Sequence, residues 1–379
     1  MVVATLGISL PEVRQAILLS ELAAGSLFSV IFVVAAIASL ISGRLSDKIG
    51  RKAVLVAGLV SLSLGFASSG LSRDYPLMLP LLGLAGLGYG FITPSLFALM
   101  SDLLPARRGL ATGLVSVAYG IGGSLGSILA SSMIAWSGWR PAFLVVGAIG
   151  LLLAGLEMIA VVDPSKGQAG GRQLSYRKAL TPTLVLLALA EFLGGSVFWS
   201  SASWTATVLR KAKDLSLSET GLVMGVWGLT PMIGAILLGA LSDRFGRKGV
   251  ILWSALFGAG AAFVLYAWLT SPVALALGLF LFGTLKASVP TLIVALAQDT
   301  ASPESTGTAS GVVMSMHYVA AVAAPLTAAQ LIAGTGDMIR AMILTSSVPL
   351  ILYGSLIAMV REGPRTESSS LQLKKLQGQ

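Results

Sequence analysis

Long apolar stretches alternate along this chain with short polar connections. A helix needs about 20 predominantly apolar residues to cross the hydrocarbon core of a bilayer, and the pattern predicts eleven such helices. Their approximate bounds are Leu22 to Ser42, Ala53 to Leu71, Leu77 to Met100, Ala111 to Trp136, Pro141 to Val162, Pro182 to Leu209, Gly221 to Leu241, Gly249 to Leu269, Pro272 to Leu296, Ala309 to Ala333 and Met338 to Val360. The sequence therefore predicts an all-α, polytopic membrane protein.

A shorter apolar segment, Met1 to Leu10, precedes the first of these stretches. As a helix it is only about 15 Å long, whereas the hydrocarbon core is roughly 30 Å thick. It has neither the basic start nor the small-residue cleavage pattern of a signal peptide. We expect it to be the outer end of a first span that is truncated or shortened, which gives about 11 to 12 transmembrane helices in total.

The composition agrees with a membrane protein and narrows the chemistry. Hydrophobic residues make up 55% of the 379 residues and charged residues 11%, and the mean hydropathy is +0.88. Cysteine is absent, so disulfides and thiolate metal sites are excluded. The chain has no P-loop, HExxH or Cys/His cluster, and we expect no enzymatic activity, no cofactor and no metal.

The net charge of +9 reflects topology rather than nucleic-acid binding, because the basic residues lie in the connections. One alternate set of connections, with the C-terminal tail, holds seventeen Lys and Arg residues, and the opposite set holds seven. By the positive-inside rule the richer set faces the cytoplasm. We therefore expect a multi-pass protein of the inner or plasma membrane with its central linker and C-terminus in the cytoplasm.

One decapeptide occurs twice, as GRLSDKIGRK at 43–52 and GALSDRFGRK at 239–248, with a spacing of 196 residues. Other landmarks repeat at nearly the same spacing: Leu19-Ser20 as Leu215-Ser216, Gly25 as Gly221, Asp102 as Asp299, and Ala111-Thr112-Gly113 as Ala309-Ser310-Gly311. This duplication predicts that the two halves of the chain are copies of each other. The predicted parts are an N-terminal bundle at 1–162, a cytoplasmic linker at 163–181, a C-terminal bundle at 182–362 and a cytoplasmic tail at 363–379.

The repeated motif resembles the signature G-x-L-x-D-R-x-G-R-K of the major facilitator superfamily (MFS), and the segments PARRG at 105–109 and GWRPAF at 138–143 are similar to further family features. The resemblance covers nearly the whole chain. It implies two bundles of six helices related by a pseudo-two-fold axis, in a transporter that works by alternating access between its two halves. Leu82 stands where proton-driven drug exporters of the family often carry Arg, which disfavours that activity.

By the same resemblance, the repeated motif forms a conformational latch on the cytoplasmic side. Gly43 and Gly239 fall at helix ends, where a missing side chain allows a neighbouring helix to approach closely. Asp47 and Asp243 are expected against the positive N-terminus of a helix from the other half. Arg51 and Arg247 are expected to pair with acidic residues at adjacent helix ends, namely Asp102 and Asp299. The alternative for the motif's other basic residues is that they only set topology.

Ionisable residues deep in a span are costly and usually face a cavity and a partner. Lys286 lies about fourteen residues into the tenth span and Glu191 about nine into the seventh. We expect them to form an ion pair that an anionic substrate breaks, and the alternative is a static structural pair. The single histidine, His317, is either a proton carrier or a hydrogen-bonding residue inside the bundle.

Aromatic residues complete the set of binding candidates. Phe198 and Trp199 are expected to form pocket walls in the C-terminal half, with Tyr89 and Tyr119 as their counterparts in the N-terminal half. Trp204 is expected in the interfacial aromatic belt.

The leading prediction is a monomeric secondary active transporter in the lipid bilayer that moves a small solute. A buried Lys favours an organic anion such as a carboxylate, with a proton or a counter-transported anion as coupling ion. Two alternatives remain open at this stage. They are efflux of hydrophobic compounds or drugs, and a sensor on the same scaffold that binds without transporting.

Overall fold

The structure is a computed structural model, and it describes residues 1–103, 108–161, 181–286, 288–300 and 306–360. Within these ranges all regular secondary structure is α-helical, in thirteen helices. Ten of the helices are long and apolar enough to cross a membrane. The predicted all-α class is confirmed, and the remaining predicted span, Pro272 to Leu296, falls on two shorter helices. The predicted linker and tail lie almost wholly outside the described residues.

Six helices precede the linker, and seven follow it. The first six are α1 (Val2–Ala16), α2 (Glu21–Ile49), α3 (Arg51–Ser69), α4 (Tyr75–Leu103), α5 (Arg108–Ser137) and α6 (Trp139–Ala160). The others are α7 (Pro182–Lys211), α8 (Leu217–Phe245), α9 (Arg247–Ala267), α10 (Pro272–Lys286), α11 (Ser288–Thr300), α12 (Thr306–Thr335) and α13 (Met338–Met359). The first apolar segment is thus a helix of 15 residues that runs beyond the predicted Leu10.

The sequence duplication appears again as duplicated helix ends. The Ser20 hydroxyl accepts a hydrogen bond from the Ala23 N–H at 3.2 Å and caps α2, and the Ser216 hydroxyl caps α8 in the same way. Gly50 and Gly246, with φ of 95° and 88°, form the one-residue turns from α2 to α3 and from α8 to α9. Because this backbone region is essentially restricted to glycine, the second glycine of the decapeptide fixes the turn in both halves.

The two groups of helices pack against each other through three helix pairs: α1 with α7, α2 with α12, and α5 with α8. The duplicated glycines lie at two of these contacts. A Cβ at Gly25 would meet the carbonyl oxygen of Pro325 on α12 at 2.8 Å, and one at Gly221 would overlap the side chain of Ser131 on α5. Close helix approach of this kind is what small residues provide in membranes.

Toward the signature motifs, each of the same two helices carries an exposed apolar residue. Leu40 lies about four turns beyond Gly25 on the same face of α2, yet it is 79% exposed. Ile236, at the equivalent position of α8, is 64% exposed. The close approaches between the halves thus lie in the middle and at the end opposite the signature motifs.

Two expectations about single residues are wrong. Gly43 and Gly239 do not fall at helix ends, since α2 continues to Ile49 and α8 to Phe245, and a Cβ at Gly239 would meet no atom of the described residues within 4 Å. Trp204 is not in an interfacial belt: it is fully buried, and its indole N–H donates to the carbonyl of Pro325 at 3.0 Å. Hydrophobicity identified its span but could not show that a partner helix covers it.

Candidate functional site

A carboxylate and an imidazole form a hydrogen-bonded pair between α7 and α12. Glu191 Oε1 lies 2.7 Å from Nδ1 of His317, and Glu191 is completely buried. The other carboxylate oxygen, Oε2, has no hydrogen-bond partner in the described part of the chain. A buried charge needs a partner to be tolerated, and the histidine supplies one.

Lys286 is buried nearby but does not pair with Glu191, contrary to our expectation. It ends α10 and is 4% exposed, and its Nζ lies 3.7 Å from the ring centroid of Phe198. Among the described residues, no carboxylate lies within 4.0 Å of this ammonium group. Sequence position gives the depth of each residue in its span, but its direction around the helix axis depends on packing that the sequence does not show.

Aromatic rings surround Lys286 and the buried pair. The Phe198 ring stacks on Trp227 of α8, with centroids 5.6 Å apart, and meets the Trp199 ring edge-on at 4.9 Å. The indole N–H of Trp199 donates to Nε2 of His317 at 3.2 Å. The structure thus joins five of the predicted residues, from Lys286 through Phe198 and Trp199 to His317 and Glu191, in one continuous cluster.

The N-terminal half contributes uncharged groups to the same region. Phe32 of α2 lies against Trp199, with centroids 4.0 Å apart, and contacts Tyr89 edge-on at 5.6 Å. Tyr119 reaches the cluster less directly, since its hydroxyl lies 3.3 Å from that of Thr93 on α4 and its side chain is 41% exposed. The site is therefore shared between the halves, with charge on one side and aromatic and hydroxyl groups on the other.

This arrangement suits binding rather than covalent chemistry. It offers one buried cation, aromatic faces and several hydroxyl groups, which together can hold and orient a solute. No group of three or more His, Asp or Glu in the described residues is placed to hold a metal ion.

The predicted latch is described only in part. Arg247 Nη1 lies 3.0 Å from Asp299 Oδ2, which joins α9 to α11 within one half. Both side chains are substantially exposed, and such a pair contributes at most about 1 kcal/mol. Arg51 begins α3. For the other residues of the proposed latch, the structure does not describe the surroundings. These residues are Gly43, Asp47, Asp102 and Asp243.

The last lysine of each signature motif has a role that the positive-inside rule did not suggest. Lys52 Nζ donates to the carbonyl of Met158 at 2.8 Å. Lys248 Nζ donates to the carbonyls of Ala358 and Val360 at 2.9 and 2.7 Å. Each lysine thus binds the C-terminal carbonyls of the last helix of its own half, where a cation is favourable.

Two ion pairs at the opposite end were also missed. Glu12 of α1 pairs with Arg210 of α7, across the halves, and Arg14 pairs with Glu21 at 2.6 Å. These residues flank the ends of spans, where sequence reasoning assigned basic residues only to topology. Phe32 was missed as well, because an apolar residue in an apolar span gives no signal.

Comparison with known proteins agrees with this architecture. The family model described as Major Facilitator Superfamily matches residues 1–325 and, in a second match, 184–375. A crystal structure of a bacterial homologue of the human lysosomal transporter Spinster superposes with a TM-score of 0.80 at 15% identity, over 96% of each chain. At that identity the likeness shows the fold alone.

Of two relatives similar in sequence, one is a transporter and the other a multidrug resistance protein. The 3-(3-hydroxy-phenyl)propionate transporter of Escherichia coli K12 is 25% identical over 365 residues, which cover 93% of this chain and 88% of the relative. The multidrug resistance protein MdtG of Escherichia coli is 25% identical over 322 residues, covering 82% and 78%. Since the family model covers most of the chain, this integral membrane protein belongs to the Major Facilitator Superfamily of transporters.

Proposed function

We propose that this protein is a secondary active transporter of small organic anions, above all carboxylates that carry an aromatic ring. The observation that carries the proposal is the position of Lys286. Its ammonium group is buried within the membrane-spanning region over the ring of Phe198, while the nearby carboxylate of Glu191 is bound to His317. An intramembrane charge without a paired opposite charge is costly, and an anionic solute would supply the missing charge.

The aromatic surroundings favour a ring on that solute. Phe198, Trp199 and Trp227 present connected ring faces next to Lys286, and such faces bind apolar and aromatic groups. A relative that covers 93% of this chain is a transporter of 3-(3-hydroxy-phenyl)propionate, which combines a carboxylate, a ring and a hydroxyl. Tyr89 and Tyr119 would face the polar substituents of such a solute.

Alternating access is supported by how the halves pack. They approach closely in the middle and at the end opposite the signature motifs, whereas Leu40 and Ile236 near the signature motifs are exposed, and we infer that the site opens toward the signature end. We place that end in the cytoplasm, with the linker and the C-terminal tail, on the basis of its Lys and Arg residues. Closure there would bury Leu40 and Ile236, and the ion pair between Glu12 and Arg210 would break as the opposite end opened.

A second candidate is efflux of hydrophobic compounds. It is favoured by the likeness to the multidrug resistance protein MdtG and by the apolar, aromatic lining of the site. This function would not need Lys286, because an uncharged compound gains little from a buried ammonium group.

Substitution of Lys286 separates the two candidates. We expect Lys286→Met to weaken binding of labelled 3-phenylpropionate to the purified protein at least tenfold, because a buried charge-assisted contact is worth about 1.5 to 3 kcal/mol. Lys286→Arg should retain part of the binding. The matched control is Lys211→Met at the exposed end of α7, which should leave binding unchanged. Equal binding of every carboxylate by wild type and Lys286→Met would overturn the proposal, and undiminished binding of uncharged hydrophobic compounds would then favour the second candidate.

A further inference from the structure

Trp199 touches both the buried polar pair and the other half of the molecule. It is 4% exposed, and its ring lies 4.0 Å from that of Phe32 on α2, between centroids. On its other side, the indole N–H donates to Nε2 of His317 at 3.2 Å. No other contact in the described site links the packing of the halves so directly to a titratable group.

The hydrogen bond from Trp199 defines the tautomer of His317. An indole N–H only donates, so Nε2 must be an acceptor and carries no proton. The proton of the neutral imidazole is then on Nδ1, where it is donated to Glu191 Oε1 at 2.7 Å. Protonation of Nε2 would place the new N–H of His317 against the indole N–H of Trp199, so it requires the indole to move.

The indole is held in place from the opposite half. Phe32 belongs to α2, which packs on α12 and is fixed to it by the hydrogen bond from the Ser29 hydroxyl to the carbonyl of Val322 at 2.7 Å. A movement of α2 relative to α7 would take the ring of Phe32 away from the indole and leave space for the indole to turn away from His317.

We propose that Trp199 is a positioning residue that couples the packing of the two halves to the protonation of His317. With Phe32 against the indole, His317 is neutral and donates to Glu191. When the halves separate at this level, Nε2 is released and takes a proton from water in the open cavity. The consequence of this coupling rests on the proposed transport function. It is that an anion and a proton enter the site together, so that their charges balance.

Other titratable groups face this pair and affect its titration. Lys286 on α10 and Tyr353 on α13 lie within electrostatic range of Glu191. On α12 the ring of Tyr318 meets that of His317 at 6.5 Å, and from the N-terminal half come Tyr89 and Tyr119, which are within electrostatic range of each other and of Tyr318. Since Lys286 is the one cation among these described groups, it opposes a proton on His317 until an anion binds.

The experiment uses the fact that the chain contains a single histidine. Histidine labelled with ¹⁵N, in full-length protein purified with a histidine-free tag, gives one imidazole whose tautomer and titration are read by NMR. In the wild type we expect the Nδ1–H tautomer. Trp199→Phe keeps a ring against Phe32 but removes the donor, and it should shift the titration midpoint of His317 to higher pH by about one unit.

Trp204→Phe is the matched control, because it removes an indole donor between the same two helices without contacting His317. It should leave the titration unchanged. Phe32→Ala should shift the midpoint in the same direction as Trp199→Phe but by less, and it keeps the test available if Trp199→Phe does not fold.

An Nε2–H tautomer in the wild type, or an unchanged midpoint in Trp199→Phe or in Phe32→Ala, would overturn the proposal. The titration needs no substrate, so its failure is distinguishable from failure of anion binding, which the Lys286 variants report.

Discussion

The two halves of this protein share their signature ends and differ at their centre. Gly50 and Gly246 form the same one-residue turn, and Lys52 and Lys248 bind the C-terminal carbonyls of the last helix in their own halves. At the centre, the C-terminal half carries a buried cation and a buried carboxylate with its histidine. The N-terminal half contributes rings and hydroxyl groups to the same site.

The offsets within the repeat make the contrast sharper. Ala111-Thr112-Gly113 recurs as Ala309-Ser310-Gly311, at an offset of 198 residues. At the same offset, His317 is the counterpart of Tyr119 in the repeat. One copy of this position is thus a neutral phenol and the other a titratable imidazole. We conclude that the duplicated features maintain the architecture of each half, whereas the features that differ carry the specificity.

The largest expected effect on stability comes from a substitution in the buried charged site of the C-terminal half. Glu191→Gln keeps a hydrogen-bond acceptor for His317 but removes the negative charge near Lys286. Losing the charge-assisted hydrogen bond with His317 together with the longer-range attraction between Glu191 and Lys286 should lower the free energy of unfolding by roughly 2 to 4 kcal/mol, measured by thermal unfolding in one detergent. Combining Glu191→Gln with Lys286→Met should restore part of that loss.

Tyr119→Phe is the control in the neutral half, since it removes only the contact with Thr93, and its effect should stay below about 1 kcal/mol. If Tyr119→Phe destabilised the protein as much as Glu191→Gln, the contrast between the halves would be wrong.

A smaller loss of stability, equal in the two halves, is expected from substitutions at the turns that both halves share. Gly50→Ala and Gly246→Ala each place a Cβ in a backbone region reserved for glycine, at a cost of about 1 to 3 kcal/mol. Gly239→Ala lies within α8, where a Cβ meets no atom of the described part of the chain within 4 Å, and should not destabilise the protein. A loss in one half only would show that the two turns are not equivalent, and thermal unfolding measures all three variants.

Much of the fold followed from the sequence, because hydrophobic length and the positions of repeated residues are one-dimensional signals. The spans and the recurrence of Leu19-Ser20 as Leu215-Ser216 are of this kind, whereas the structure shows that these serines cap α2 and α8. The contacts of Lys286, Glu191 and Trp204 are not, since they depend on how each helix is rotated toward its neighbours. The expected pairing of Lys286 with Glu191 failed for that reason, although both residues do lie in the same buried site.

The central claim is that the charge at Lys286 selects an organic anion for transport. Its most direct test is flux into proteoliposomes of labelled 3-phenylpropionate and of its uncharged amide, under imposed proton gradients of either direction and with counter-anions inside. We predict saturable uptake of the acid and no specific uptake of the amide, with the acid flux lost in Lys286→Met. Equal flux of the amide, or saturable binding of the acid without flux under any gradient, would contradict the account.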